Sequence, residues 1–270
     1  MTRSEQTNLS DMAVALVTGG TSGIGAAFAR ALVARGYDLV LVARSTAGLE
    51  SMAAELRPSG RSIELLAADL GDRAAVDRVA ARIEDAAKPI DLVVNNAGFG
   101  IHTSFLDPDV SAHDHGFEVM CRAVLVLSGA AGRAMVARGS GNIVNVSSTA
   151  GFLTMGSYSA MKAWVTAFTE SLAVELKGTG VGVTALCPGW VRTDFHNRAG
   201  IRASSIPNSL WLDSERLVEA CLRDVERGKV ISIPSVRYRA LIWLARHAPR
   251  AAIRSISGAI SSSRRKPVTT

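Results

Sequence analysis

Short, continuously apolar runs alternate along this chain with segments of helical spacing, and this alternation constrains the fold more than any other feature. The runs predict seven strands, Ala13–Thr18, Asp38–Ala43, Ser62–Ala67, Asp91–Asn95, Asn142–Ser147, Val181–Leu186 and Lys229–Ile233. Most are rich in Val, Leu and Ile throughout, which is typical of strands buried on both faces of a parallel sheet. Helical spacing predicts helices over Gly23–Arg35, Arg73–Ala87, Ser157–Lys177 and Ser214–Arg227. This order predicts an α/β fold, a doubly wound parallel sheet of about seven strands with helices on both faces.

The same pattern sets the expected domain boundaries. Residues 1–11 are polar and expected to be disordered, a single domain is expected over 12–234, and a basic, helical extension is expected over 235–270, disordered from Ser261. No apolar run in the sequence reaches the ~18–20 residues that cross a bilayer. The polar start also lacks the apolar stretch of a secretory signal. These features predict a cytoplasmic protein.

The net charge of +6 is concentrated in the extension. Residues 235–270 contain no acid and eight basic residues, Arg237, Arg239, Arg246, Arg250, Arg254, Arg264, Arg265 and Lys266. The rest of the chain carries a net charge of −2, so no nucleic-acid partner is expected. Tyr238, Leu241, Ile242 and Ala245 follow helical spacing and predict a basic amphipathic helix. Packing or an oligomer contact is its favoured role, and binding to an anionic membrane surface is the alternative.

The cysteines and histidines carry no pattern of metal ligands. Cys121, Cys187 and Cys221 are far apart in sequence and form no CxxC pair, so we expect buried thiols without a disulfide or zinc. His102, His113 and His115 lack metal-ligand spacing. We therefore expect no metal site.

A glycine-rich loop follows the first predicted strand and opens the first predicted helix. It reads Thr18-Gly19-Gly20-Thr21-Ser22-Gly23-Ile24-Gly25. Glycines allow a tight turn and close approach of the backbone to a ligand. The free N–H groups at the start of the helix can then hold a pyrophosphate. Ligands of open parallel sheets bind beyond the carboxyl ends of the strands, where this loop lies.

The loop resembles the TGxxxGIG motif of the short-chain dehydrogenase/reductase family, and the resemblance extends from Val14 to Thr193. Asn95-Asn96-Ala97-Gly98 matches the family's NNAG motif, Asp69-Leu70 its adenine contact, and Pro188-Gly189 with Thr193 its PGxxxT segment. The resemblance implies a Rossmann-like domain that binds a nicotinamide dinucleotide, as in bacterial ketoacyl and ketone reductases. It also implies a homo-oligomer, a dimer or tetramer. The implied cofactor-binding residues outside the catalytic set are Gly19, Thr21, Ser22, Gly23, Ile24, Gly25, Arg44, Ser45, Asp69, Leu70, Asn96, Ala97, Gly98, Pro188, Gly189, Val191 and Thr193.

The end of the second predicted strand bears on the choice of cofactor. An NAD site usually carries an acid there, which bonds the ribose 2′-hydroxyl. This chain has Arg44 and Ser45 instead. Because an arginine attracts a 2′-phosphate and can bind it through two hydrogen bonds, we expect NADP. A solvated surface arginine is the alternative explanation.

Tyr158 and Lys162 have the spacing that places two side chains on one face of a helix. A nearby ammonium is expected to lower the pKa of a phenol, which would suit it to proton transfer. The family resemblance implies that Tyr158 transfers a proton, and that Lys162 also binds the nicotinamide ribose. Of the two serines that end the fifth strand, Ser147 is expected to be a capping residue. The SSxAG pattern favours Ser148 for holding the substrate oxygen.

Two positions depart from the family pattern. Met120 aligns with an asparagine that supports the lysine through water in many members, and a thioether cannot replace an amide. Only nine residues separate Ser148 from Tyr158, fewer than usual, which predicts an open mouth.

Phe195, His196, Ile201, Ile206 and Trp211 lie in an irregular segment between Val191 and Leu212, which in the family covers the substrate. Its apolar content favours a hydrophobic ketone, aldehyde or 3-oxoacyl derivative, although these side chains can equally pack on the core. The sequence thus predicts an NADP-dependent oxidoreductase that interconverts a carbonyl and an alcohol. A catalytically weak or inactive NADP-binding sensor or scaffold on the same fold is the alternative.

Overall fold

A seven-stranded parallel sheet forms the centre of the fold in the computed structural model, which describes residues 14–101, 103–192 and 208–262. Its strands are β1 Val14–Thr18, β2 Asp38–Ala43, β3 Ile63–Ala67, β4 Leu92–Asn95, β5 Gly141–Val146, β6 Val181–Leu186 and β9 Ile231–Ser232. The order across the sheet is β3-β2-β1-β4-β5-β6-β9, so the chain reverses direction across the sheet between β1 and β4. The expected doubly wound α/β fold is confirmed, and the crevice beyond β1 and β4 is where a ligand of such a sheet binds.

Helices cover both faces of the sheet. They are α1 Gly23–Ala34, α2 Thr46–Leu56, α3 Arg73–Glu84, α4 Ser111–Phe117, α5 Ala123–Arg138, α6 Gly156–Glu175, α7 Ser214–Glu226, α8 Val236–His247 and α9 Arg250–Ser262. One buried cluster joins the sheet to α1, α2 and α7, and a second joins it to α3, α5 and α6. Successive residues of β1 point to opposite clusters, Ala15 and Val17 to the first and Leu16 to the second. This explains why the strands are apolar at every position.

A helical run spans Ser111–Arg138, because a π-helical turn at Glu118–Arg122 joins α4 to α5. It contains an 18-residue window with a mean hydropathy of 1.5. The expectation that no apolar run reaches bilayer length is therefore wrong for this segment. Its apolar character is explained by packing, since 61% of the window is buried in the fold and α5 lies against α3.

Two features of the chain beyond β6 were not predicted in detail. The short strands β7 Trp190–Val191 and β8 Trp211–Leu212 pair in parallel beside the main sheet. Helices α8 and α9 follow β9, and α9 continues to Ser262. Disorder was expected over residues 1–11 and from Ser261, but Ser261 and Ser262 belong to α9. Residues 1–11 and 263–270 lie outside the described residues. All three cysteines are free and buried, as expected.

Candidate active site

The glycine loop between β1 and α1 has a backbone conformation that requires glycine at several positions. Gly19 and Gly23 have φ values of +64° and +55°, which favour glycine. A Cβ at Gly25 would lie 2.1 Å from the carbonyl oxygen of Gly19. The α1 N-terminus has no side-chain cap at Ser22, whereas Ser45 caps α2. Uncapped N–H groups beside a glycine turn form a cradle that fits the pyrophosphate of a dinucleotide.

Thr18 and Asn96 hold this loop against the end of β4. Thr18 Oγ1 accepts hydrogen bonds from the N–H groups of Asn96 and Ala97 at 2.9 and 3.1 Å. The amide of Asn96 donates to the carbonyl oxygens of Thr18 and Gly19 at 2.9 and 3.3 Å. Asn96 therefore shapes the loop, a contribution that the sequence did not reveal.

Arg44 lies exposed at the end of β2, with no hydrogen bond or ion pair to the residues that the structure describes. Ser45 accepts a hydrogen bond from the Gly48 N–H at 3.1 Å. A Cβ on Gly48 would lie 3.4 Å from Ser45 Oγ and 3.6 Å from Cβ of Thr21. The glycine loop and the start of α2 are thus close together, and the exposed Arg44 directly precedes Ser45 there.

The end of β3 completes the rim of the crevice. Asp69 is exposed and accepts a hydrogen bond from the Gly71 N–H at 2.9 Å, while Leu70 is buried. His115 packs so closely on Gly71 that a Cβ there would lie 2.5 Å from its ring, and it stacks on Phe99 with ring centroids 5.1 Å apart. His115 is thus held by packing at the rim.

The two serines after β5 have different partners. Ser147 is buried and donates a hydrogen bond to the carbonyl oxygen of Lys162 at 2.7 Å, which ties β5 to α6. Ser148 accepts a hydrogen bond from the Ala150 N–H at 3.1 Å, and its side chain also bonds the side chain of Tyr158. The expectation that Ser147 is a capping residue is therefore wrong, because Ser147 joins β5 to α6 and Ser148 is the N-cap of the short helix Thr149–Phe152. Ser148 also lies against the tyrosine.

Tyr158 and Lys162 lie side by side on the first turns of α6. The Lys162 ammonium is 5.8 Å from the Tyr158 ring centroid and donates a hydrogen bond to the carbonyl oxygen of Val146 at 2.8 Å. Burial lowers the pKa of Lys162 to about 8. Burial also raises the pKa of Tyr158 to about 12, although the hydrogen bond with Ser148 acts in the opposite direction. The expected lowering of the phenol pKa is therefore not found, because the ammonium is bound to a main-chain oxygen and desolvation dominates.

Met120 is fully buried in the π-helical turn. A Cβ on Gly98 would lie 3.3 Å from the Met120 sulfur and 3.6 Å from the Lys162 ammonium nitrogen, so all three groups meet at one point. The thioether makes an apolar wall there, and the Val146 carbonyl provides the acceptor for the lysine. The lysine is thus anchored to the main chain, with the Met120 thioether beside it.

The segment after β6 closes the far side of the crevice. The carbonyl oxygen of Pro188 accepts a hydrogen bond from the Thr149 N–H at 2.9 Å. Gly189 packs on the ring of Tyr238, where a Cβ would lie 2.0 Å from a ring carbon. Val191 is buried in β7. Thr193 and most of the expected lid, residues 193–207, lie outside the described residues.

Two residues near this site were missed by the sequence reasoning. His113 Nδ1 lies 2.8 Å from the hydroxyl of Ser157, the residue before Tyr158, and its Nε2 lies 3.2 Å from the Ser104 carbonyl oxygen. Tyr238 accepts a hydrogen bond from the Trp190 N–H at 3.0 Å and donates one to the Leu210 carbonyl oxygen at 2.9 Å. Both contacts join segments distant in sequence, so no local pattern could have shown them.

Comparison with known proteins agrees with this geometry. Residues 13–202 match the family model described as short chain dehydrogenase. The chain is 39% identical over 209 residues to galactitol 2-dehydrogenase (L-tagatose-forming) of Cereibacter sphaeroides, which covers 75% of this chain and 80% of that protein. It is 36% identical over 193 residues to a protein of Streptomyces coelicolor described as a ketoacyl reductase, which covers 68% and 72%.

A solved structure with the same fold is the short-chain dehydrogenase from Sphingobium yanoikuyae in complex with NADPH. Its TM-score is 0.78 at 32% identity, and the match covers 96% of this chain and 98% of that chain. The chain therefore belongs to the short-chain dehydrogenase/reductase family of oxidoreductases.

Proposed function

We propose that this protein is an NADP-dependent reductase that converts the carbonyl group of a hydrophobic ketone, aldehyde or 3-oxoacyl derivative to an alcohol. One observation carries the proposal. Ser148, Tyr158 and Lys162 converge beyond β5, next to a glycine cradle that admits no side chain. A proton donor beside a dinucleotide crevice is the arrangement that carbonyl reduction requires.

The cradle and the end of β2 support NADP as the cofactor. The α1 N-terminus offers unshared N–H groups to the pyrophosphate. Arg44 and Ser45 stand next to the loop, where a guanidinium without an acidic partner suits a 2′-phosphate. NADPH is also the cofactor named for the Sphingobium structure, which is 32% identical to this chain.

Each catalytic residue has a role that follows from its surroundings. When bound, the nicotinamide supplies the hydride. Burial keeps Tyr158 protonated at neutral pH, so its Oη donates the proton to the carbonyl oxygen. Ser148, which already contacts the phenol, donates a hydrogen bond to the same oxygen and stabilises the charge that develops there. Lys162, held by Val146, keeps a positive charge beside the ring.

The protonation state of the tyrosine favours reduction over oxidation. Oxidation of an alcohol needs the phenolate as the proton acceptor, and a pKa of about 12 makes that form scarce at pH 7. The apolar cluster against which Tyr158 packs also supports an apolar substrate. Phe99 and Ile101 are partly buried against the same apolar cluster as Tyr158.

The test compares NADPH and NADH oxidation over a panel of hydrophobic ketones, aldehydes and 3-oxoacyl thioesters. Tyr158→Phe should abolish turnover and leave the dissociation constant for NADPH nearly unchanged. Tyr37→Phe is the matched control, because it removes the same hydroxyl group far from the site. Tyr37 is fully buried and directly precedes β2, whereas Arg44 and the candidate site lie beyond the other end of that strand. Arg44→Glu should weaken NADPH binding and leave NADH binding nearly unchanged.

If Tyr158→Phe remained active on the true substrate, the assignment of Tyr158 as the proton donor would be wrong. If the wild type bound NADH more tightly than NADPH, Arg44 would not be the residue that recognises the 2′-phosphate. Binding of NADPH without turnover on any carbonyl would favour the sensor or scaffold instead.

A further inference from the structure

Helix α8 packs on the body of the molecule with one face only. Tyr238 and Ile242 are buried there, with 6% and 5% of their surface exposed. The hydroxyl of Tyr238 joins the segments on either side of residues 193–207 through its bonds to Trp190 and Leu210. Burial of Tyr238 and Ile242 on this inner face holds α8 against the rest of the protein.

The outer face of α8 is exposed and carries four large apolar side chains, of which Trp243 lies against the ring of His247 in the same helix. Val236, Leu241, Trp243 and Leu244 are 71%, 51%, 62% and 59% exposed. At 100° per residue, these four side chains share one broad arc of the helix, opposite Tyr238 and Ile242. Arg237 and His247 fall within the same arc, so this face combines apolar and basic side chains. Surfaces of this kind on a folded chain usually mark an interaction site.

The charge around this face indicates the kind of partner. Residues 235–270 carry eight basic side chains and no acid. The side chains of Arg239 and Arg254 make no hydrogen bond or ion pair within the described part of the chain, and the Arg246 guanidinium lies 5.0 Å from the centroid of the Phe152 ring. A face that combines apolar and basic side chains, with no acid in this part of the sequence, is complementary to an anionic lipid surface.

We propose that α8 docks in the plane of an anionic phospholipid bilayer. Leu241, Trp243 and Leu244 enter the acyl boundary, and the neighbouring arginines contact the phosphate headgroups. A second copy of this chain fits the face less well, since a symmetric contact would bring the same basic helix from each copy together. This docking surface does not depend on the enzymatic activity proposed above.

Helices α8 and α9 also contact the segment that precedes Tyr158. Arg246 covers Phe152, and Ser257 of α9 accepts a hydrogen bond from the Thr154 N–H at 3.1 Å. Docking would therefore place the mouth of the candidate active site beside the lipid surface. If the proposed function holds, we expect the substrate to be a lipophilic carbonyl compound that is dissolved in the bilayer.

The test is co-sedimentation of the full chain with vesicles of phosphatidylcholine alone and of phosphatidylcholine mixed with phosphatidylglycerol. We expect binding to the mixed vesicles only, and weaker binding when salt is raised from about 0.1 M to about 0.5 M, because exposed charges are then screened. Arg239→Gln with Arg254→Gln should weaken binding about fivefold for each arginine. Trp243→Gln with Leu244→Gln should weaken it at least about tenfold.

Val174→Gln is the matched control, because Val174 is 76% exposed on α6 and should leave binding unchanged. Circular dichroism of each variant establishes that it is folded. The proposal is overturned if the wild type fails to bind the mixed vesicles, or if the Trp243 and Leu244 variant binds them equally well. If that variant instead dissociates an oligomer in sedimentation velocity and no vesicle binding is seen, the face belongs to a second copy and the proposal falls.

Discussion

Replacement of Lys162 by methionine should stabilise the folded chain at neutral pH while it abolishes turnover. Lys162 is 5% exposed, and methionine has a similar length without the charge. Burial lowers the lysine pKa from 10.5 to about 8. At about 1.4 kcal/mol per pH unit, the protonated lysine costs the folded state about 3 kcal/mol at pH 7. Loss of the hydrogen bond to Val146 destabilises the variant by about 1 kcal/mol, so its net gain in unfolding free energy should be about 2 kcal/mol.

The pH dependence of this difference is a sharper test than its size. A lysine with a lowered folded-state pKa destabilises the fold below that pKa, and its cost fades as pH rises from about 8 to 10.5. At pH 10 the cost is about 1 kcal/mol, so the two proteins should then be nearly equal in stability. The difference between them should thus shrink by about 2 kcal/mol between pH 7 and pH 10.

Urea denaturation of both proteins at pH 7 and pH 10 measures these quantities. Groups that titrate equally in both proteins cancel in the difference. Lys177→Met is the control for loss of one lysine, because Lys177 is exposed just beyond α6. A difference that does not change with pH, or a methionine variant less stable than the wild type at pH 7, would refute the argument that burial of the ammonium is costly.

The remaining predictions concern the cradle, the far wall and the tyrosine. Gly25→Ala should raise the dissociation constant for NADPH at least about tenfold, because the new Cβ would collide with the Gly19 carbonyl. Gly132→Ala on α5 is its control, and by urea denaturation it should be neutral or more stable by up to about 1 kcal/mol, since its Cβ meets only ordinary contacts. Tyr238→Phe should lower the unfolding free energy by about 1–3 kcal/mol in the same assay, because the Trp190 N–H and the Leu210 carbonyl lose their partner. For alcohol oxidation, kcat/KM should rise about tenfold per pH unit from about pH 5.5 to 7, because the Tyr158 pKa of about 12 keeps the phenolate a minor form. Over this range Lys162, with a pKa of about 8, keeps its charge, so kcat/KM for ketone reduction should stay flat. An oxidation profile that levels off below about pH 7 would contradict the raised tyrosine pKa.

The sheet could be predicted from the sequence because its signal is local. Strands buried on both faces must be apolar at every position, and β2 and β6 begin and end where the apolar runs do. The glycine loop could be found for a similar reason, since only glycine fits at Gly25. Where the expectation needed only a short stretch of chain, the structure agrees with it.

Expectations about energetics and long-range packing were less successful. The spacing of Tyr158 and Lys162 places them together, but it does not show that Lys162 is bound to Val146 or that desolvation dominates both pKa values. The bilayer-length run at Ser111–Arg138 was missed because its apolar residues are divided between two helical segments with polar residues among them. Neither property can be read from the sequence without knowing what surrounds each side chain.

The short segment between Ser148 and Tyr158 shows how distant parts of the chain act on the candidate site. Its nine residues were expected to leave the mouth open, and three hydrogen bonds to distant parts of the chain hold it in place. Thr149 bonds the carbonyl of Pro188, Thr154 bonds Ser257 of α9, and Ser157 bonds His113 of α4. A loop of this length has few contacts of its own to fix its shape, so its order depends on these partners. The C-terminal extension therefore supplies one wall of the segment that presents Tyr158, and changes in α8 or α9 should alter KM more than kcat, because they act on the mouth rather than on the proton donor.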